Sequence, residues 1–171
     1  MAAVPTTWTL FVYGSLMRGH ENHVACCGGF REVRAATVRG RLYRQPSGYP
    51  MLVVPAAAVL ASGTDDPRKD ALTLRRLAAE AARRPVCVDE VAEGEWEPIA
   101  GELFTFDDAA LRLPRLDALE DFRPGGGGLY ERAVVALEGD DGALAWTYVA
   151  PDAGPPRGSE RMGRKWEGRG N

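Results

Sequence analysis

Residues 8–16 read Trp-Thr-Leu-Phe-Val-Tyr-Gly-Ser-Leu, a short apolar run that ends abruptly. Its first six residues are rich in aromatic and β-branched side chains, which is typical of a buried strand, and Gly14-Ser15 then forms a turn. A strand that ends in such a turn leaves backbone N–H groups free to bind a carboxylate or a phosphate. The alternative is an ordinary strand and turn in which Ser15 is only a cap.

Five further segments have the composition of strands, and most of them alternate apolar with polar residues. They are Ala35–Tyr43, Tyr49–Val54, Ile99–Phe106, Leu129–Leu137 and Ala143–Ala150. The last two flank Glu138-Gly139-Asp140-Asp141-Gly142, which is a strong hairpin signal.

Two segments carry helix signals. Asp65-Asp66-Pro67 starts the first, and an apolar stripe follows at Leu72, Leu74, Leu77 and Ala81. Asp107-Asp108 starts the second, in which Leu111, Leu116 and Leu119 recur at helical spacing.

About six strands that do not alternate strictly with helices predict an α+β fold. We expect a small mixed, mostly antiparallel β-barrel with two or three short helices. With 171 residues the chain suits one domain, residues 1–150, which contains a helical insertion at about 57–98. Segment 151–171 is rich in proline, glycine and basic residues and is predicted to be a flexible tail.

Composition limits the possible partners. The net charge is −3 and no basic stripe is present, which argues against nucleic acid. The sequence contains neither a signal peptide nor the ~18 apolar residues of a membrane helix. Three cysteines without zinc spacing indicate a reduced, cytoplasmic setting. His20 and His23 lack a third ligand, so we expect no metal.

The second helical segment contains a candidate acid–base residue. Glu120 follows Leu119 at the edge of the apolar face, where desolvation would raise the pKa of its carboxyl group. A solvated glutamate near a helix end is the alternative, and Asp117 and Asp121 compete for the same role.

Four short motifs occur in one order along the chain. Together they resemble the γ-glutamylcyclotransferase superfamily, which includes the γ-glutamylamine cyclotransferases and the plant AIG2-like proteins. The resemblance covers about residues 8–56 and 99–150. The motifs are Tyr13-Gly14-Ser15-Leu16, Gly48-Tyr49-Pro50, Leu116-Asp117-x-x-Glu120 and Tyr130-x-Arg132.

The chain departs from the family pattern at two places. Asp121 stands where the family often has glycine, and a second carboxylate there could oppose ionisation of Glu120. The segment at about 57–98 has no counterpart in the compact members of the family.

The resemblance implies an enzyme that cyclises a γ-glutamyl group to 5-oxoproline and releases an amine or amino acid, with no cofactor and no metal. Glu120 matches the family's catalytic glutamate. The substrate would be a small γ-glutamyl compound, and the protein a monomer or a homodimer. The alternatives are a non-catalytic carboxylate-binding protein on the same fold, or a γ-glutamyl transferase or hydrolase.

The same resemblance assigns six substrate-binding residues. The amides of Gly14, Ser15 and Leu16 would bind the substrate's α-carboxylate or the reacting oxygen, and Tyr13 would shape the pocket. Two further tyrosines are candidate wall residues, although an aromatic core position would explain them equally well. They are Tyr49 and Tyr130.

Overall fold

The computed structural model describes residues 6–84, 95–139 and 143–169. Within these ranges the chain forms eight strands, three α-helices and one short 3₁₀ turn at Ala56–Ala58. The strands are β1 (Trp8–Val12), β2 (Glu32–Arg44), β3 (Pro50–Val53), β4 (Ala61–Ser62), β5 (Glu97–Phe106), β6 (Glu131–Ala136), β7 (Leu144–Val149) and β8 (Glu160–Arg161). The helices are α1 (His23–Cys27), α2 (Pro67–Arg83) and α3 (Ala109–Leu119).

The strands form one strongly curled sheet in the order β3-β2-β5-β1-β7-β6-β4, and β8 pairs with β2. Only the β1–β7 pair is parallel among the described strands. The curl brings the end of β7 back to β3, where the Ala150 N–H donates to the Leu52 carbonyl at 2.7 Å. The predicted α+β class with a mixed, mostly antiparallel barrel-like sheet is therefore confirmed, as a half-barrel.

Strand β1 lies in the middle of the sheet, between β5 and β7. Its side chains at Trp8, Leu10 and Phe11 are buried in the core. Gly101 on β5 approaches it so closely that a Cβ atom there would lie 2.2 Å from the Val12 carbonyl oxygen. Strand β1 ends at Val12, and the Gly14-Ser15 turn follows at the end of this central strand.

Helix α2 begins where the sequence predicts. The Asp66 carboxylate accepts hydrogen bonds from the N–H groups of Arg68 and Lys69, and Pro67 occupies the first turn. In the predicted stripe, Leu74 is buried, whereas Leu72 is 55% exposed. Leu72 is exposed because a helix turns about 100° per residue, so positions two apart face different directions.

The two additional strands lie in segments that were predicted as an insertion and as a tail. Strand β4 pairs with β6, so the segment at about 57–98 contains a strand of the sheet in addition to helix α2. Residues 85–94 of this segment lie outside the described ranges. Segment 151–169 differs from the predicted flexible tail, since β8 pairs with β2 and Trp166 is fully buried. Burial of this indole outweighs the loop-like composition around it.

Candidate active site

A cavity of about 270 Å³ opens at the end of β1. It brings together Glu120 and all six residues predicted to bind substrate. The predicted residues that line it are Tyr13, Gly14, Ser15, Leu16, Tyr49, Tyr130 and Glu120. Other lining residues, which the sequence did not single out, include Asn22, Gln45, Leu129 and Tyr148.

The turn after β1 keeps its carbonyl groups bonded and its amides available. The Gly14 carbonyl accepts from the Met17 N–H at 3.0 Å, and the Ser15 carbonyl accepts from the Asn22 N–H at 3.1 Å. The Asn22 side chain also donates to the Ser15 hydroxyl at 2.8 Å. Within the described ranges, the N–H groups of Gly14, Ser15 and Leu16 have no hydrogen-bond partner. Amides arranged in this way suit an anionic or partly negative oxygen.

Glycine is required at position 14 by its contact with Pro50. A Cβ atom on Gly14 would lie 2.7 Å from Cγ of Pro50, which is too close for any other residue type without movement. The Pro50 carbonyl in turn accepts from the Tyr130 hydroxyl at 2.7 Å. These contacts join three of the four motifs, and Glu120 of the remaining motif lines the same cavity.

Glu120 caps the C-terminus of α3, with its N–H donating to the Leu116 carbonyl at 2.9 Å. The Phe122 N–H then donates to the Asp117 carbonyl at 2.9 Å, and Asp121 adopts a positive φ of 47°. This bond and backbone conformation define a Schellman motif, in which the left-handed position favours glycine. The preference of the family for glycine after the glutamate thus has a backbone explanation.

The carboxylate of Asp121 is directed away from Glu120. It pairs with the Arg123 guanidinium at 3.0 Å and accepts from the Leu129 N–H at 3.2 Å, and it is half exposed. Burial is the cause that shifts the pKa of Glu120, with no contribution from Asp121. The sequence-based concern that Asp121 opposes ionisation of Glu120 is therefore not supported by the geometry.

The carboxyl group of Glu120 is unpaired among the described residues, since no hydrogen bond or ion pair reaches it. Burial raises its pKa from 4.5 to about 7. Both of its protonation states are thus populated near neutral pH, which is the condition for a group that takes up and returns protons. The neighbouring Leu119 is 41% exposed, because it lines the cavity instead of packing into the core as predicted.

Asp117, the other competing carboxylate, is fully engaged. It accepts from Nε and Nη2 of Arg132 at 2.8 and 3.1 Å, and from the Tyr148 hydroxyl at 2.7 Å. Arg132 is completely buried and also donates to Asp70 on α2 at 2.9 Å. Of the three candidate carboxylates, Glu120 is the one that is unpaired and lines the cavity.

The hydroxyl groups of Tyr13 and Tyr130 are held by the protein. That of Tyr13 donates to the Tyr148 carbonyl at 2.6 Å and accepts from the Leu52 N–H at 3.2 Å. That of Tyr130 accepts from the Gln45 side-chain amide at 2.7 Å. Burial raises the pKa of both phenols, so they stay neutral and form fixed walls of the cavity.

Tyr49 lies at the rim of the cavity, next to the C-terminal segment. Its hydroxyl donates to Glu21 at 3.0 Å, and the Arg169 guanidinium stacks over its ring at 4.9 Å. Gly48, the residue before it, accepts from the Trp166 indole N–H at 3.1 Å. The segment that was predicted to be a tail therefore supports one wall of the site.

The two histidines have structural partners. His23 Nδ1 lies 3.0 Å from the Leu16 carbonyl oxygen, and His20 packs on Trp166 with ring centroids 4.8 Å apart. No cluster of three potential metal ligands occurs in residues 6–84, 95–139 and 143–169.

No helix in these ranges is both long and apolar enough to cross a bilayer.

The family model described as "Gamma-glutamyl cyclotransferase, AIG2-like" matches residues 10–77 and 61–168. The chain belongs to this family, which confirms the resemblance drawn from the four motifs. No curated protein sequence matches the chain.

Two solved structures with TM-scores above 0.5 support the fold. The chain is similar to c4763, a uropathogenic E. coli-specific protein, with a TM-score of 0.52 and 15% identity over 94% of this chain and 92% of that one. It is also similar to Kluyveromyces lactis allophanate hydrolase, with a TM-score of 0.52 and 14% identity over 91% of this chain, but it spans only 19% of that chain. An AIG2-like protein from mouse has 20% identity and a TM-score of 0.41, and the match covers 84% of this chain and 77% of that one. At these identities the likeness concerns the fold alone.

Proposed function

We propose that the protein is a γ-glutamylcyclotransferase, which converts a γ-glutamyl compound into 5-oxoproline and a free amine or amino acid. One observation carries the proposal: the unpaired carboxyl group of Glu120, with its raised pKa, lines the same cavity as the free amides of Gly14–Leu16. Membership of the family supports it.

The reaction needs few protein groups because both reacting atoms belong to one substrate. The α-nitrogen of the γ-glutamyl group attacks its own γ-carbonyl carbon, so the enzyme gains most by fixing one conformer. Well-oriented internal reactions reach effective molarities of ~10⁵ M or more. The amides of the turn would bind the α-carboxylate or the carbonyl oxygen of the substrate. The buried tyrosines in the cavity wall would restrict rotation about the other bonds of the γ-glutamyl group.

Glu120 supplies the proton transfers. Its carboxylate takes a proton from the α-ammonium, and the freed amine then forms the new C–N bond. The original amide C–N bond breaks when the leaving nitrogen is protonated. Two protons move from the attacking to the leaving nitrogen, and one carboxyl group can carry them in turn.

The test is incubation with a panel of γ-glutamyl dipeptides and γ-glutamylamines, with 5-oxoproline measured by mass spectrometry. The wild-type protein should form it, and Glu120→Gln should abolish turnover while ligand binding persists. Asp121→Asn, which removes the neighbouring half-exposed carboxylate, is the matched control and should stay active. Release of free glutamate would indicate a hydrolase, a new γ-glutamyl conjugate a transferase, and binding without turnover a carboxylate-binding protein.

A further inference from the structure

Three tyrosines with buried hydroxyl groups line the cavity, and their hydrogen bonds differ. A phenol has one proton to donate and oxygen lone pairs with which to accept. The hydroxyls of Tyr13 and Tyr130 each donate one bond and accept one from the protein. Both hydroxyl groups therefore use their proton and one lone pair in bonds within the protein. Tyr148, on β7, is the third.

The proton of Tyr148 is committed to Asp117. Its hydroxyl donates to Asp117 Oδ1 at 2.7 Å, and that carboxylate is held in place by two bonds from the Arg132 guanidinium. No described residue donates to the Tyr148 oxygen. It is therefore an acceptor with unused lone pairs, and its bond to a charged group strengthens it as an acceptor.

Glu120 and Tyr148 line the same cavity. Burial and then the Asp117 charge raise the pKa of the Tyr148 phenol, and the nearby Glu120 charge adds the smallest contribution. A carboxylate and a phenol oxygen that can only accept are suited to a group rich in N–H donors. The free N–H groups of Gly14–Leu16, by contrast, are hydrogen-bond donors that have no partner within the described residues. Acceptors and donors in one cavity match the ammonium and carboxylate of an α-amino acid group.

We propose that the Tyr148 oxygen accepts a hydrogen bond from the substrate's α-ammonium group and so orients the nitrogen that attacks. The inference rests on the proposed function and assigns recognition of the α-ammonium group to a residue outside the four motifs.

The test uses two ligands that differ in one group: a γ-glutamyl dipeptide, and its glutaryl analogue, which lacks only the α-amine. Affinities are measured by calorimetry in the Glu120→Gln background, where no turnover occurs. Adding Tyr148→Phe should lower the affinity for the γ-glutamyl ligand about tenfold or more, as expected when a hydrogen bond to a charged donor is lost. The affinity for the glutaryl ligand should not change. Tyr43→Phe, on β2 and outside the cavity lining, is the matched control and should not change either affinity.

Equal weakening of both ligands by Tyr148→Phe would overturn the inference, because Tyr148 would then act only by holding Asp117. Unchanged affinity for both ligands would overturn it as well. The proposed function fails separately, if the wild-type protein forms no 5-oxoproline from any member of the panel. Wild-type turnover together with an unchanged affinity ratio in the Tyr148→Phe protein removes the inference and leaves the function standing.

Discussion

Arg132 and Asp117 form a two-point ion pair, with Nε–Oδ1 at 2.8 Å and Nη2–Oδ2 at 3.1 Å. The pair joins β6 to the last turn of α3, three residues before Glu120. Because Arg132 also binds Asp70, helix α2 is tied to the same point. The position of the Glu120 carboxyl group therefore depends on a buried guanidinium.

Arg132→Lys should destabilise the fold. Lysine keeps the charge but cannot form the two-point pair with Asp117 and reach Asp70 at the same time. Because part of the buried ion-pair network is lost, the free energy of unfolding should fall by up to about 3 kcal/mol, which urea denaturation can measure. The control is Arg123→Lys, in an exposed pair with Asp121, which should change stability by about 1 kcal/mol or less. Equal effects from the two substitutions would contradict this account.

The pH dependence of turnover should report Glu120. Because burial raises its pKa to about 7, the fraction of free enzyme with an ionised carboxylate grows between pH 6 and 8. We expect kcat/KM to rise with pH across this range, with a midpoint near 7. Asp121→Asn should leave the midpoint unchanged. A midpoint near 4.5, the ordinary value for a glutamate, would mean that the pKa of the group that must ionise is not raised by burial.

Glu120 should also weaken the fold at alkaline pH. The folded protein holds the Glu120 proton up to about pH 7, whereas the unfolded chain releases it near the ordinary value of 4.5. The folded state therefore binds more protons between these values, so stability falls as pH rises. Glu120→Gln, which removes the charge, should be more stable than wild type at pH 8 by up to about 3 kcal/mol and little different at pH 4. Thermal unfolding at both pH values tests this, and a gain of equal size at each would argue against it.

The left-handed residue after Glu120 should prefer glycine to alanine. At a φ of 47°, Asp121→Ala suffers the Cβ clash that Asp121→Gly avoids, while both lose the contact with Arg123. Asp121→Gly should thus be the more stable variant by about 1 kcal/mol, as measured by urea denaturation. Alanine equal to or better than glycine would show that the turn relaxes to another conformation.

Local signals explain what the sequence could predict. The strand at Trp8–Val12, the α2 start at Asp66 and the turn at Gly14 each depend on a few adjacent residues, and all three are present. Glu120 could be proposed because the motif Leu116-Asp117-x-x-Glu120 resembles that of the family, whereas its place after an apolar helical face left a solvated glutamate as the alternative. Its pKa could not be predicted in value, since desolvation depends on the whole cavity.

The parts that could not be predicted depend on distant contacts. Trp166 is buried against a turn more than a hundred residues away, so a composition typical of a tail was misleading. Strand β4 has two residues and exists because β6 lies beside it. Tyr148 lies in a strand that is buried throughout, and nothing in the sequence distinguishes its hydroxyl from those of the other tyrosines.

The Schellman turn at Asp121 has a consequence for how related chains are found in genomes. A glycine after the glutamate in a consensus sequence reflects a left-handed backbone conformation at that position. Aspartate or asparagine can adopt the same conformation. Searches that insist on the glycine would discard homologues that keep the glutamate and the same turn. A query that allows any of the three residues would recover them.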